Sequence, residues 1–216
     1  ALAANAVGAL YTAMYTQQRG KEWAYILGDS TPSMVVVANT AVLDKLVEAM
    51  PDDASAWPAN GIVLLGEDEV NEVPPEGIEV VNWSAFVQAG RAADALGEVA
   101  DDPMALATLI YTSGTTGNPK GVMLTNWNIW SNILSVQRVF PIYIGDKSAS
   151  FLPWAHVFGS TVDLFYMIRS GVHVNLISDL TRIADELVEI KPAVMCAVPR
   201  VWNRFYDRVN AQLDSS

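Results

Sequence analysis

Short apolar runs alternate along this chain with segments in which apolar residues recur every three or four positions. The runs Met34–Ala38, Ile62–Leu65 and Ile78–Val81 read as buried strands, and Lys21–Leu27, Ala41–Met50 and Trp83–Leu96 carry the helical period. From about Ser148 the alternation resumes. Strands are expected at Ala149–Leu152, Val172–Leu176 and Val194–Val198, and helices at Phe158–Ile168, Leu180–Ile190 and Val201–Leu213. Strands separated by helices imply parallel strands joined by right-handed crossovers. The pattern therefore predicts an α/β fold of layered sheets flanked by helices, in its simplest form one unit. Pro- and acid-rich stretches at Pro51–Asn60 and Gly66–Gly77 break both periods and are expected as surface loops.

Composition narrows what such a fold can do. With 216 residues, 51% of them apolar, the chain can bury a substantial core. Its apolar runs are far shorter than the roughly 18 to 20 residues a bilayer span requires, so no membrane-spanning helix is expected. Twenty-four acids against 13 Lys and Arg, a net charge of −11, argue against broad nucleic-acid binding by a basic surface. Cys196 is alone, in the apolar run Ala193–Val198, with no His or Cys at ligand spacing. It is expected as a buried, inert thiol in a reducing, cytoplasmic setting, and no metal-ligand set is read from the chain. The start ALAANAVGALYTAMY lacks the basic flank of a secretion signal and does not begin on Met, so the chain is expected to be part of something longer.

One stretch departs from the acidic background. Tyr111–Gly121, YTSGTTGNPKG, holds three glycines, a cluster of hydroxyls and one lysine, and no acid. Ala105–Thr112 delivers the chain into it as a strand and Gly121–Thr125 leaves it as another. Thr125 or Asn126 then caps a helix with Trp127, Trp130, Ile133 and Leu134 on one side. A Walker A loop instead runs from Gly-Lys into a helix. Glycines allow backbone N–H groups to converge on an anion, hydroxyls add donors without negative charge, and Lys120 adds a mobile cation. Such a loop suits the terminal phosphates of a nucleotide or pyrophosphate.

YTSGTTGNPKGVMLT resembles the phosphate-loop signature of the adenylate-forming superfamily, which includes acyl-CoA synthetases, luciferases and the adenylation domains of peptide synthetases. FLPWAHVFG (Phe151–Gly159) resembles the second motif of that superfamily. EIKPAVMCAVPRVWNRFYDRV (Glu189–Val209) is similar to the segment after it in long-chain fatty acyl-CoA synthetases, and YILGDSTPSMVVV (Tyr25–Val37) fits the same group.

The resemblance implies a partial large N-terminal AMP-binding domain over residues 1–216, with the C-terminal domain outside it. In the family, a carboxylate attacks the α-phosphate of Mg-ATP to give an acyl-adenylate and pyrophosphate, and coenzyme A then displaces AMP to form a thioester. Thr112, Ser113, Gly114, Thr115, Thr116, Gly117 and Lys120 would hold the phosphates, with Lys120 and Thr116 stabilising charge on the leaving pyrophosphate. His156 would lie beside the reacting carboxylate as a positional hydrogen-bond donor; the carboxylate is already ionised and needs no base. Trp154, His156, Phe158, Gly159 and Ser160 would line the acyl pocket. Ser160 stands where some long-chain members carry a gating tryptophan. Arg200 matches a family arginine at a helix start after Pro199. His173, Trp127 and Trp130 are expected to be structural. The family's Tyr-Gly-x-Thr-Glu motif and C-terminal catalytic lysine do not occur in the chain, so alone it is expected to be inactive.

The implied partners are a fatty acid, ATP with Mg²⁺, and coenzyme A, with no nucleic acid. Acyl chain length, oligomeric state and loose membrane association stay open. A ligase for an aryl or medium-chain acid is the alternative within the same chemistry. A nonenzymatic nucleotide-binding module is the alternative outside it, and Lys120 weighs against that.

Overall fold

Asn39, Asn82 and Thr125 each stand just before a segment of helical period, and each begins a helix by taking up an amide that the helix leaves unbonded. Asn39 Oδ1 accepts from Val42 N at 3.0 Å and Asn82 Oδ1 from Ala85 N at 2.8 Å. Thr125 Oγ1 accepts from Asn128 N at 3.2 Å while Asn128 Oδ1 accepts from Thr125 N at 2.9 Å, a reciprocal box. The computed structural model describes residues 1–66, 74–93, 101–112 and 118–214. Where the sequence suggests one α/β unit, the structure has two compact units, Ala1–Leu124 and Thr125–Ser216.

The first unit runs α1 (Leu2–Ala6), β1 (Tyr11–Thr12), α2 (Gly20–Ser30), β2 (Val35–Val37), α3 (Thr40–Ala49), β3 (Ile62–Leu64), β4 (Val80–Asn82), α4 (Trp83–Ala92), β5 (Leu106–Thr112) and β6 (Lys120–Thr125). Strands β2, β3 and β4 form a parallel sheet in which Val35 faces Ile62 and Ile62 faces Val80. Its core joins Val35, Val37, Ile62 and Leu64 to Trp23, Leu27, Leu43 and Leu46 of the two helices. Trp57, in the stretch expected as a surface loop, is buried there too and donates its indole N–H to the Pro51 carbonyl at 2.8 Å. A second sheet has the order β1-β5-β6, with β1 parallel to β5 and Thr108 Oγ1 donating to the Tyr11 carbonyl at 2.7 Å.

The second unit runs α5 (Asn126–Val139), β7 (Lys147–Ser150), a π-helical segment (Gly159–Tyr166), α6 (Met167–Arg169), β8 (His173–Leu176), α7 (Ile183–Ile190), β9 (Val194–Met195) and α8 (Pro199–Asp214). Its sheet has the order β8-β7-β9, all parallel, so the chain leaves β7 to one side and returns to pair on the other. Strand β7 starts two residues before the expected Ala149, because its serines are buried with their hydroxyls bonded and need no apolar side chain to sit inside.

Three side chains correct the sequence reading. Trp127 is 49% exposed rather than in the core; Ile129 and Ile133 form the buried side of α5, and Trp130 stacks under Arg169 at 5.1 Å. His173 is exposed on β8 and is not packed. Cys196 is half-buried, not fully buried; burial, with the Asp163 charge adding to it, pushes its thiol up to about 11, which keeps it protonated and unreactive. Part of the expected loop Gly66–Gly77 and the end of the helix expected to reach Leu96 lie outside the described residues.

Candidate active site

In the first unit, the candidate phosphate loop is carried by neighbouring strands. Strand β5 ends at Thr112 and its sheet neighbour β6 begins at Lys120, so both ends of the glycine-rich loop are anchored in one sheet. The Thr112 and Lys120 side chains are exposed. Ser113, Gly114, Thr115, Thr116 and Gly117 lie outside the described residues. Tyr111, the last buried residue before the loop, donates its hydroxyl to Asp29 Oδ2 of α2 at 2.7 Å. Burial, with the Asp29 acceptor and charge adding to it, pushes the phenol up to about 12. Gly121 lies under that ring: a Cβ there would sit 3.1 Å from Tyr111 Cζ. The loop is thus held at its base by a buried aromatic that a glycine makes room for.

In the second unit, a separate candidate region lies at the carboxyl end of β7. In an open parallel sheet, the crevice outside the strand ends is where ligands settle, at the point where the chain order reverses. Strand β7 is that point here, since β8 lies on one side and β9 on the other. An open pocket of ≈ 230 Å³ lies there, lined by Ser150, Phe151, Leu152, Trp154, Leu176, Ile177 and Ser178.

His156 follows on an exposed turn. Its amide donates to the Pro153 carbonyl at 3.0 Å and its Nδ1 accepts from Phe158 N at 3.2 Å, as a cap on the helix that begins there. With Nδ1 accepting, a neutral ring carries its proton on Nε2, which suits a hydrogen-bond donor. Of the other expected pocket residues, Trp154 lines the cavity. Phe158 is exposed on the helix; Gly159 and Ser160 are buried within it, Ser160 Oγ donating to the Val157 carbonyl at 3.2 Å. Gly159 has a steric reason: a Cβ would stand 2.3 Å from the Pro153 carbonyl oxygen. Arg200 is exposed on α8.

Sequence reasoning missed a buried acid behind Ser150, a wall residue of this pocket. Asp163 has no solvent exposure and accepts from Ser150 Oγ at 3.0 Å. Burial pushes its carboxyl up to about 6, and hydrogen bonding from the Ser150, Trp154 and Leu152 side offsets part of that. The available signal was an acid inside the apolar helical run Thr161–Met167. Among the described residues, no cluster of His, Cys, Asp or Glu could hold a metal ion, and no helix is long and apolar enough to cross a membrane.

Comparison with known proteins gives the family. The AMP-binding enzyme family matches residues 1–215. The chain is 28% identical to long chain acyl-CoA synthetase 4 of Arabidopsis thaliana over 224 residues, covering 98% of this chain and 32% of that protein. It is 31% identical over 159 residues to the peroxisomal long chain acyl-CoA synthetase 7 of the same plant, covering 72% of this chain and 22% of that one. Among solved structures, the adenylation domain of a carboxylate reductase from Mycobacterium chelonae superposes with a TM-score of 0.75 at 25% identity, over 97% of this chain and 34% of that one. The chain therefore spans about a fifth to a third of the length of the curated relatives it matches.

Proposed function

The chain belongs to the AMP-binding enzyme family, and from that premise we propose that it is part of the large N-terminal domain of an ATP-dependent long-chain fatty-acid:CoA ligase. The observation that carries the reading is the acid-free loop Tyr111–Gly121 strung between neighbouring strands, with Thr112 and Lys120 exposed at its two ends. A donor-rich loop with one cation fits the terminal phosphates of ATP and the pyrophosphate that leaves. Thr112, Ser113, Gly114, Thr115, Thr116, Gly117 and Lys120 hold those phosphates. Lys120 and Thr116 act most strongly as charge builds on the leaving oxygen.

His156 orients the acid's carboxylate from Nε2, and the pocket beside Trp154 takes the near part of the acyl chain; Phe158, Gly159 and Ser160 shape that wall. Bound ATP supplies the activated phosphorus and Mg²⁺ neutralises its phosphate charge; coenzyme A is the final acceptor of the acyl group. The long-chain names of the relatives support a fatty acid over an aryl or medium-chain one. A half-buried, protonated Cys196 accords with a reducing, cytoplasmic setting. The isolated segment, without the family's adenine motif and C-terminal lysine, does not turn over.

The test is thioester formation by the full-length protein with ATP, Mg²⁺ and coenzyme A, across acids from acetate to long-chain fatty acids. The reading expects kcat/KM to rise with chain length. Equal or better use of short or aryl acids would overturn the long-chain assignment.

A further inference from the structure

Asp163 is a carboxyl with no solvent exposure, set in the π-helical segment Gly159–Tyr166. Buried acids persist where donors meet their oxygens. One oxygen is met: Ser150 Oγ donates to Oδ1 at 3.0 Å, and Ser148 Oγ lies 3.3 Å from Ser150 Oγ, so hydroxyls of β7 lead to the carboxyl. The other, Oδ2, is buried and has no hydrogen-bond partner among the described residues. The Trp154 side chain and the Leu152 amide both face this carboxyl and favour its charged form, yet neither closes a bond on Oδ2. Ser150, Leu152 and Trp154 are also walls of the pocket at the end of β7.

An orphaned acceptor and a donor that faces it thus share one wall. Trp154 has a single polar group, the indole N–H, and such a group finds a partner when its ring is buried. Bonding to a carboxylate would be the stronger, charge-assisted kind. π-Helical widenings occur frequently at functional sites, where they shift side chains out of α-helical phase.

We propose that Asp163 is a positioning residue for the pocket: its Oδ2 receives the indole N–H of Trp154, and this bond sets the Trp154 ring as the wall against the acyl chain. That the occupant is an acyl chain rests on the function proposed above; the Asp163–Trp154 bond does not. The groups facing the carboxyl are the Ser150 hydroxyl of β7, the Trp154 indole and the Leu152 amide. Cys196, after β9, senses its charge and stays protonated through neutral pH. A bond that needs the carboxylate weakens as Asp163 takes up a proton near pH 6.

The test uses the full-length protein labelled with ¹⁵N-tryptophan, with the Trp154 indole resonance identified by its loss in Trp154→Phe. In the presence of a long-chain fatty acid, the Trp154 indole proton should lie downfield and move with a midpoint near pH 6. In Asp163→Asn that movement should vanish. A Trp154 resonance indifferent to pH between about 5 and 7 in the unmutated protein would overturn the proposal, whether or not the variant folds. In steady state, Asp163→Asn and Trp154→Phe should each raise KM for the fatty acid roughly tenfold, with KM for ATP unmoved. If the titration appears and KM for the acid stays put, the bond stands and the acyl assignment of the pocket fails.

Discussion

The hydroxyl of Tyr111 donates to Asp29 Oδ2 at 2.7 Å, tying the base of the glycine-rich loop to α2. Tyr111→Phe keeps the ring over Gly121 and removes only this bond. Because Asp29 is exposed, the cost should fall at the low end for bonds to charged groups, about 1.5 kcal/mol, read as a lowered denaturant midpoint at pH 7. The phenol is raised to about 12 in the folded state, so the folded chain keeps its proton while the unfolded chain loses it above pH 10. Stability should therefore decline between pH 10 and 12, more steeply in the unmutated protein than in Tyr111→Phe. Parallel declines would contradict this.

Gly159 and Pro153 meet so closely that a methyl group has no place between them. Gly159→Ala puts a Cβ 2.3 Å from a backbone oxygen, where no flexible side chain can yield. The turn carrying Trp154 and His156 must shift, at a cost of about 2 to 4 kcal/mol. Chemical denaturation measures that cost. A loss under about 0.5 kcal/mol would show that the turn accommodates the methyl and that the contact constrains nothing.

The carboxyl of Asp163 is raised to about 6, so its sign is opposite to that of a salt-bridged acid. Between its unfolded value near 4 and about 6, the folded state binds the proton more tightly, and this group's contribution to stability is lost as pH rises through that window. Asp163→Asn cannot ionise. Relative to the unmutated protein it should gain roughly 2 to 3 kcal/mol between pH 4 and pH 7. A difference between the two that does not change with pH would contradict the buried, proton-holding carboxyl.

How much of this was legible beforehand follows from what periodicity can report. Strand Ile62–Leu64 is a continuous apolar run buried on both faces, and its sequence says so; Val35–Val37 reads the same, yet it turns Val36 outward. Strand β7 is as deeply buried, yet its inward residues are Ser148 and Ser150, acceptable only because their hydroxyls bond to each other and to Asp163. That condition depends on a residue 13 positions on and is invisible to a local pattern. The same holds for the site. Thr112, Lys120 and His156 could be proposed from sequence because their motifs are local, whereas the pocket joins the ends of β7 and β8, which only the sheet brings together. Trp127 was misplaced because an i, i+3 aromatic pair fits either side of a helix; Ile129 and Ile133 decided which side turned inward.

Lys120 at the start of β6 bears the central claim, since an acidic protein that keeps one cation at the end of an acid-free loop should use it on phosphate. The most direct measurement is pyrophosphate release by the full-length protein with Mg-ATP and a long-chain fatty acid, beside Lys120→Ala and its circular dichroism spectrum. Loss of a charge-stabilising contact to the leaving group predicts a fall in kcat of about 10²-fold or more, with the fold intact. Equal release by a folded Lys120→Ala, or no release from the unmutated protein with any acid, would contradict the account.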